Sequence, residues 1–391
     1  MMTDNQAWAA EEQQMRQMRV TIGLVLVGVV VLGGAVGVGR AIGPDPKLHA
    51  ALVEKGIAYL KSTQDPAGTW SKAATPGITG IALAALLRNG VSPDDPVAAK
   101  ALKYVESLAT PEGHLAGKDA KLALHNYVTS VNVLALKAAN RPEKYGKLID
   151  NAVAYLKKLQ WDESEQKTPD DPYYGGAGYG KDSRPDLSNT NFFLDALKAA
   201  GVAADDPAFK KAAVYVSRCQ NLKSEHNTLP WADKINDGSF IYGAAPEGDT
   251  RGEELPDGRR PGYGSMTFAG IKSLALCGVP RTDPRLVKAF EWITKNYSVD
   301  TNPGMPPGAG QRGYYYYLLT MARALETVGV NEVIDSTGRK HDWRLEVTQA
   351  LAARQRKNGS WINETDRWLE GDPDLCTAYA LLTLSHTRPV E

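Results

Sequence analysis

The chain has 391 residues, of which 43% are hydrophobic and 23% charged, a composition typical of a folded globular protein. Its 45 basic and 45 acidic side chains cancel, so no net positive charge favours nucleic acid as a partner. The three cysteines, Cys219, Cys277 and Cys376, are too few and too widely spaced for a disulfide framework or a zinc finger.

The first predicted element is an apolar segment near the N-terminus. Residues 20–39 carry no charge, and as a helix they would extend about 30 Å, the thickness of the hydrocarbon core of a bilayer. After the flank 1–19, we therefore expect a single-pass membrane anchor over 20–42, with a cleaved secretion signal as the alternative. Arg16 and Arg19 precede the segment, which favours a cytoplasmic N-terminus and a large domain on the non-cytoplasmic side.

Six amphipathic helices are predicted along the rest of the chain, over 48–64, 97–109, 145–160, 207–220, 284–297 and 343–355. Apolar residues recur in them at helical spacing, and Pro207 and Pro284 follow aspartates, as at the first turn of a helix. Five copies have an aromatic residue five positions before the end, namely Tyr59, Tyr104, Tyr155, Tyr215 and Trp292.

Between these helices lie six shorter segments that are nearly free of charge. They begin at Thr79, Thr129, Thr190, Thr267, Leu318 and Thr377, and each has a leucine seven residues later. A helix that is apolar on most of its surface must be buried on most of it, which indicates two concentric layers. Because no terminal repeat carries a polar cap, we expect a closed ring, an all-α α6/α6 toroid over 48–388, instead of an open solenoid.

The loops that join the two kinds of helix are rich in glycine and aromatic residues. Two of them read Q-x-x-x-G-x-W, from Gln64 to Trp70 and from Gln355 to Trp361. A glutamine amide can bond to helix ends, and glycine lets an indole ring lie close to the backbone. The aromatic residues at corresponding loop positions are Trp70, Tyr179, Tyr263, Tyr314 and Trp361. They are expected either to ring one mouth of a central cavity or to pack the repeat junctions.

The two Q-x-x-x-G-x-W loops and the six-fold repeat resemble the triterpene cyclases, whose QW motif has this pattern. The paired helices are also similar to the α6/α6 toroid of the protein prenyltransferase β subunits and of prenyltransferase and squalene oxidase repeat proteins. This resemblance covers about residues 48–388 and implies the fold. It implies less about activity, because toroids also serve as thioester domains and as polysaccharide-degrading enzymes.

The resemblance makes Asp372 and Asp374 the candidate catalytic residues. Triterpene cyclases protonate an alkene with a D-x-D-D acid that precedes an inner helix, and the segment Asp372-Pro-Asp374-Leu375 stands in that place. The step needs a carboxylic acid that stays protonated, which crowding of carboxylates provides, and here Leu375 replaces one of them. The alternative role for an aspartate at this position is a helix N-cap.

The zinc site of the prenyltransferases is matched only in part, by Asp374-x-Cys376, and His386 does not complete it. We therefore predict neither a metal nor a cofactor. Two function classes stay open. The first is a membrane-anchored toroid that binds an isoprenoid, another lipid or a protein partner without full cyclase chemistry. The second is a divergent terpenoid cyclase or prenyltransferase that uses Asp372 and Asp374 as acid, and a polysaccharide-active toroid is a third, weaker option.

Overall fold

A computed structural model describes residues 42–72, 75–118, 124–245 and 248–390. The flank 1–19 and all but the last residue of the predicted anchor over 20–42 lie outside these ranges. Among the helices that the structure describes, none is both long enough and apolar enough to cross a bilayer.

Six amphipathic helices form the outer layer of the described chain. Five of them have a proline in the first turn, where a missing N–H costs no hydrogen bond. In four of these, the aspartate just before the proline accepts hydrogen bonds from backbone N–H groups of the first turn. The outer helices are α1 (Pro46–Thr63), α3 (Pro96–Ser107), α5 (Pro142–Lys157), α7 (Pro207–Arg218), α10 (Pro284–Asn296) and α12 (Trp343–Arg354).

Six apolar helices form the inner layer, and they close into a ring. They are α2 (Thr75–Arg88), α4 (His125–Ala138), α6 (Leu187–Ala200), α9 (Gly264–Leu276), α11 (Tyr314–Thr327) and α13 (Pro373–His386). Each packs against the next in this order, and α13 packs back against α2. Most residues of every inner helix are buried, as their lack of charge predicts. The predicted all-α toroid is therefore confirmed.

The ring is sealed where the first outer helix meets the last hairpin. Gly56 of α1 lies so close to Leu381 and Trp361 that an added Cβ would stand 3.0 Å from each side chain. His49 Nε2 lies 2.8 Å from the Leu384 carbonyl oxygen, a second link between α1 and α13. These contacts bury the faces that an open stack of hairpins would leave to solvent.

The glutamines that end outer helices link neighbouring hairpins. The Gln64 amide donates to the carbonyls of Gly68, in its own loop, and Val97, in the next outer helix, at 3.1 and 2.9 Å. Gln355 does the same with Gly359 and Leu52, and so completes the ring. Gln160 and Gln220 bond in the same way to their own loops and to the next outer helices.

Three smaller elements complete the described chain. A 3₁₀ turn covers Glu163–Glu165, and a short helix α8 (Ala232–Ile235) lies in the long connection before α9. The strands β1 (Glu332–Ile334) and β2 (Lys340–Asp342) pair antiparallel between α11 and α12. Asp342, at the end of β2, caps α12 through a hydrogen bond from the backbone N–H of Leu345.

The threonines that begin five of the six predicted inner segments fix how those inner helices are rotated. The hydroxyl of Thr79 accepts a hydrogen bond from the backbone N–H of Trp70, in the loop outside the inner layer, at 3.2 Å. The same contact recurs in four other repeats, at Thr129, Thr190, Thr267 and Thr377. Residues two positions away lie on the other side of a helix, so they are turned towards the hollow of the ring.

Candidate functional site

A cavity of about 310 Å³ lies at the N-terminal ends of the inner helices, and we call it the N-end cavity. Every inner helix contributes to its wall from the position two residues before the shared threonine or leucine. These six residues are Gly77, Tyr127, Ser188, Ser265, Tyr316 and Leu375. Apolar side chains such as Ile78, Val128 and Met266 fill the wall between them, so the cavity is mostly apolar with a few polar groups.

Four aromatic residues separate this cavity from a second one. The ring of Tyr127 lies edge-on to that of Phe192 at 4.9 Å, and Tyr316 lies 6.1 Å from both Phe192 and Tyr379. The hydroxyls of Tyr127 and Tyr379 are 3.2 Å apart. We call these four residues, Tyr127, Phe192, Tyr316 and Tyr379, the aromatic waist. Beyond it, at the C-terminal ends of the inner helices, lies a cavity of about 240 Å³, the C-end cavity. Phe192 and Tyr379 line both.

Glu370 places a carboxyl group in the wall of the N-end cavity. Its side chain accepts hydrogen bonds from the Asn363 amide at 2.7 Å and from the backbone N–H groups of Tyr316 and Tyr315 at 2.8 and 3.3 Å. Burial raises the pKa of Glu370 to about 7, even though these donors favour the charged form. Near neutral pH this group is therefore divided between its neutral and charged forms.

A second buried carboxyl group, that of Asp186, lies beside two tyrosines of the N-end cavity. Asp186 caps α6 and accepts from the backbone N–H and the side-chain amide of Asn189, at 2.8 and 2.7 Å. Burial raises its pKa to about 6, and the neighbouring Tyr242 hydroxyl opposes that shift. Tyr179 and Tyr242, both close to this carboxyl, line the cavity.

The mouth of the N-end cavity carries two exposed apolar side chains in strained backbone. Trp368 and Leu369 are 41% and 42% exposed, and both line the cavity. Their φ angles are 58° and 66°, a left-handed conformation that costs a residue with a side chain about 1 kcal/mol or more. Trp368 also lies against Gly313, where a Cβ would stand 2.9 Å from the indole ring. The loop thus holds an indole over the opening.

The five aromatic residues expected from the loops separate into two groups. Tyr179 and Tyr263 line the N-end cavity. Trp70, Tyr314 and Trp361 are buried at the repeat junctions and line neither cavity. Each of these three donates to a backbone carbonyl: Trp70 to Leu60, Trp361 to Leu351 and Tyr314 to Val299. Contact with a ligand stays a prediction for all five residues.

Asp372 and Asp374 stand at the start of α13, outside the walls of both cavities. Asp372 is the N-cap and accepts from the backbone N–H groups of Asp374 and Leu375, at 2.8 and 3.3 Å. The Asp374 carboxyl accepts from the Thr63 hydroxyl at 2.7 Å, and burial raises its pKa. Their catalytic role stays a prediction. Across the described ranges, no group of three His, Cys, Asp or Glu side chains is placed to hold a metal ion.

Comparison with solved structures relates this arrangement to known proteins. A type II terpene cyclase from Scytonema, MstE, superimposes in its apo form with a TM-score of 0.53 at 14% identity, covering 88% of this chain and 98% of the cyclase. A variant in complex with geranylgeranyl dihydroxybenzoate gives a TM-score of 0.55 at 13% identity, covering 87% and 97%. The chain has the α/α toroid fold of the terpenoid cyclases.

Less similar structures also match this chain, whereas comparison of the sequence alone finds no relative. A wild-type glycosidase gives a TM-score of 0.46 at 14% identity, covering 86% of this chain and 96% of the glycosidase, which is too distant to carry an argument. Neither the protein-family models nor the curated proteins match this sequence. At identities this low, the likeness to the terpene cyclases concerns the fold and not the reaction.

Sequence analysis missed Glu370 and the aromatic waist. The waist residues lie two positions before or after the threonine or leucine shared by the inner helices, on the side opposite the loop. That offset is a usable signal, because the hydroxyl of the threonine shared by the repeats and a side chain two positions away must face in opposite directions. Glu370 had no comparable signal, since it lies in an irregular loop whose course the sequence does not reveal.

Proposed function

We propose that the protein binds a linear isoprenoid, or a lipid of similar shape, in the N-end cavity without cyclising it. The observation that carries this proposal is the cavity of about 310 Å³ to which all six inner helices contribute apolar and aromatic side chains. A mostly apolar pocket with a few converging polar groups is the usual form of a small-molecule site. Cyclases of the same fold have been seen with geranylgeranyl dihydroxybenzoate and with merosterolic acid A, which supports an isoprenoid ligand.

The polar groups of the cavity suit the polar end of such a ligand. In its neutral form, the carboxyl of Glu370 can donate a hydrogen bond to an alcohol or carbonyl oxygen. The hydroxyls of Tyr316 and Ser188, which lie 2.9 Å apart, offer a further donor and acceptor in the same wall. An isoprenoid alcohol would then lie with its oxygen near Glu370 and its chain among Ile78, Val128 and Met266.

The acid groups favour binding over cyclisation. Protonation of an isolated alkene demands an acid far stronger than an ordinary carboxyl group. Burial raises the pKa of Glu370 to about 7, which makes it a weaker acid. Asp372 and Asp374 line neither cavity, and the first is occupied as a helix cap. A divergent cyclase that uses these two residues is the second candidate, supported by their position at the start of an inner helix.

The apolar run at 20–39 supports a membrane setting for this function. A single-pass anchor over 20–42 would hold the toroid beside the bilayer that supplies its ligand, on the non-cytoplasmic side. A protein partner that receives the ligand is compatible with this arrangement.

Two cavity-filling variants on one helix test the proposal. Val128 lines the N-end cavity, and Val131, one turn further along α4, lines the C-end cavity. We expect Val128→Phe to weaken the binding of farnesol at least about tenfold, measured by calorimetric titration, because the added ring occupies the site. Val131→Phe adds the same volume to the other cavity and should leave farnesol affinity unchanged. Thermal unfolding of both variants shows whether they are folded.

Product analysis of the same samples separates binding from catalysis. We expect farnesol, squalene and prenyl diphosphates to be recovered unchanged from wild type and from Asp374→Asn. A cyclic product that wild type makes and Asp374→Asn does not would replace the binding proposal with the cyclase. Equal loss of farnesol affinity in Val128→Phe and Val131→Phe, or no binding by wild type, would exclude the N-end cavity as the site.

A further inference from the structure

The C-end cavity differs from the N-end cavity in its charge. Its wall is apolar near the waist, where Ile81, Val131 and Leu319 lie. Four basic side chains complete the lining: Arg88, Lys137, Arg323 and His386. They come from four different inner helices, α2, α4, α11 and α13, and so converge from several sides on one space.

The carboxylates around this cavity leave part of that positive charge unpaired. Asp195 lies 2.8 Å from Arg323, but both of its oxygens also contact Lys272, at 2.7 and 2.5 Å. Glu326 lies 2.5 Å from His386. Within the described part of the chain, no carboxylate forms an ion pair with Arg88 or Lys137. The Arg88 Nε instead donates to the Ser385 hydroxyl at 3.2 Å.

Three of these side chains, Arg88, Arg323 and His386, are close enough to affect one another. Burial lowers the pKa of the Arg88 guanidinium and the charge of Arg323 lowers it further, whereas the carboxylates of Glu326 and Asp195 oppose that shift. Burial also lowers the pKa of His386 to about 4, with Arg88 and Arg323 adding to the shift, although Glu326 opposes it. His386 is therefore uncharged near neutral pH, and the nearby guanidinium groups of Arg88 and Arg323 are the like charges that favour an anion beside them.

A helix-dipole role accounts for only part of this arrangement. Arg88, Lys137 and Lys198 each lie in the last turn of an inner helix, where a cation is favourable. Lys198 does not line the cavity, as expected for a cation that serves only its own helix. Arg323, by contrast, lies four residues before the end of α11 and still reaches the cavity. The convergence of these groups on one space therefore calls for another explanation.

We propose that the C-end cavity binds an amphiphile with an anionic headgroup, a carboxylate or a phosphate. The guanidinium of Arg88 and the ammonium of Lys137 bind the headgroup, with Arg323 held in place by Asp195 beside them. The alkyl chain lies along Ile81, Val131 and Leu319 and ends at the aromatic waist. This site is separate from the N-end cavity and does not depend on the function proposed for it.

Calorimetric titration of the full chain with four probes tests this site. The probes are octyl phosphate, octanoate, octanol and inorganic phosphate, which separate the headgroup from the chain. The test variant replaces both unpaired cations, Arg88→Gln with Lys137→Gln. The matched control is Lys198→Gln, which removes a last-turn cation outside the cavity. Val131→Phe, which fills the cavity, provides a second test that leaves every charge in place.

We expect octyl phosphate and octanoate to bind at least about tenfold more tightly than octanol or inorganic phosphate. The double variant should weaken the binding of octyl phosphate at least about tenfold, because charge-assisted hydrogen bonds to the headgroup are lost. Val131→Phe should weaken it by at least about as much, because the space for the alkyl chain is lost. Lys198→Gln and Val128→Phe should leave it unchanged. The proposal would be overturned if octanol or inorganic phosphate bound as tightly as octyl phosphate. It would also be overturned if the double variant bound octyl phosphate as tightly as wild type does. Farnesol binding is measured separately, so either proposal can fail alone.

Discussion

Glu370 shows how one buried acid can differ from its neighbours in the same loop. Asp372, two residues away, accepts hydrogen bonds as the N-cap of α13, whereas Glu370 lies inside the wall of the N-end cavity. Its three hydrogen-bond donors reduce the cost of charging it but do not remove that cost. The balance leaves a carboxyl group that changes charge near neutral pH.

This balance predicts a pH dependence of stability. An ordinary glutamate has a pKa of 4.5, and that of folded Glu370 is about 7. Between these values the folded state keeps a proton that the unfolded state has lost, so stability falls as pH rises. Over this window wild type should lose about 3 kcal/mol of unfolding free energy relative to Glu370→Gln. Denaturant titrations at a series of pH values measure the difference.

Glu364→Gln provides the control for that experiment, since Glu364 is an exposed residue of the same loop. Its pH profile should follow that of wild type. If the profiles of Glu370→Gln and wild type are parallel between pH 4.5 and 7, burial does not shift this carboxyl.

At the scale of elements, the loop glycines explain how neighbouring hairpins are joined. Gly68 has a φ of 87°, and a Cβ there would lie 2.8 Å from the Lys100 carbonyl of the next outer helix. The same combination of positive φ and contact with the next outer helix recurs in four other loops, at Gly113, Gly175, Gly238 and Gly359. The glycine of the Q-x-x-x-G-x-W pattern therefore serves both the turn and the junction.

A pair of glycine substitutions separates these two roles. Gly68 and Gly90 have nearly the same φ, 87° and 88°, but nothing lies within 4 Å of a Cβ on Gly90. Gly90→Ala should cost about 1 kcal/mol, from backbone strain alone. Gly68→Ala should cost at least ~2 kcal/mol more, because the methyl group forces two outer-layer elements apart. Equal losses in thermal or denaturant unfolding would show that the junction is not tightly packed.

The sequence predicted the helices well because their signals are local. Proline after aspartate marks four of the six outer helices. The first and last outer helices, α1 and α12, begin within two residues of their predicted starts. The inner helices begin earlier than predicted: α2 starts at Thr75, and its predicted start was Thr79. The six wall residues that lie two positions before the shared threonine or leucine precede those predicted starts. The sequence pattern therefore assigns these six residues to loops and points to the loop aromatics as the site.

At the scale of the whole molecule, closure of the ring was predictable and the division of its hollow was not. The missing polar caps implied closure, and the packing of α13 against α2 confirms it. The two cavities depend on how four aromatic side chains from α4, α6, α11 and α13 meet at the centre. The spacing of these residues from the shared threonine or leucine predicts that they face the hollow, but it does not show which of the side chains meet at the centre.

The central claim is that the hollow of this ring holds an apolar ligand on the N-terminal side of the aromatic waist. A crystal structure of the protein with a brominated farnesol analogue tests it most directly, since bromine scatters anomalously. We expect an anomalous peak in the N-end cavity, between Tyr316 and Trp368. A peak confined to the C-end cavity or the outer surface, with the N-end cavity empty in a saturated crystal, would contradict it.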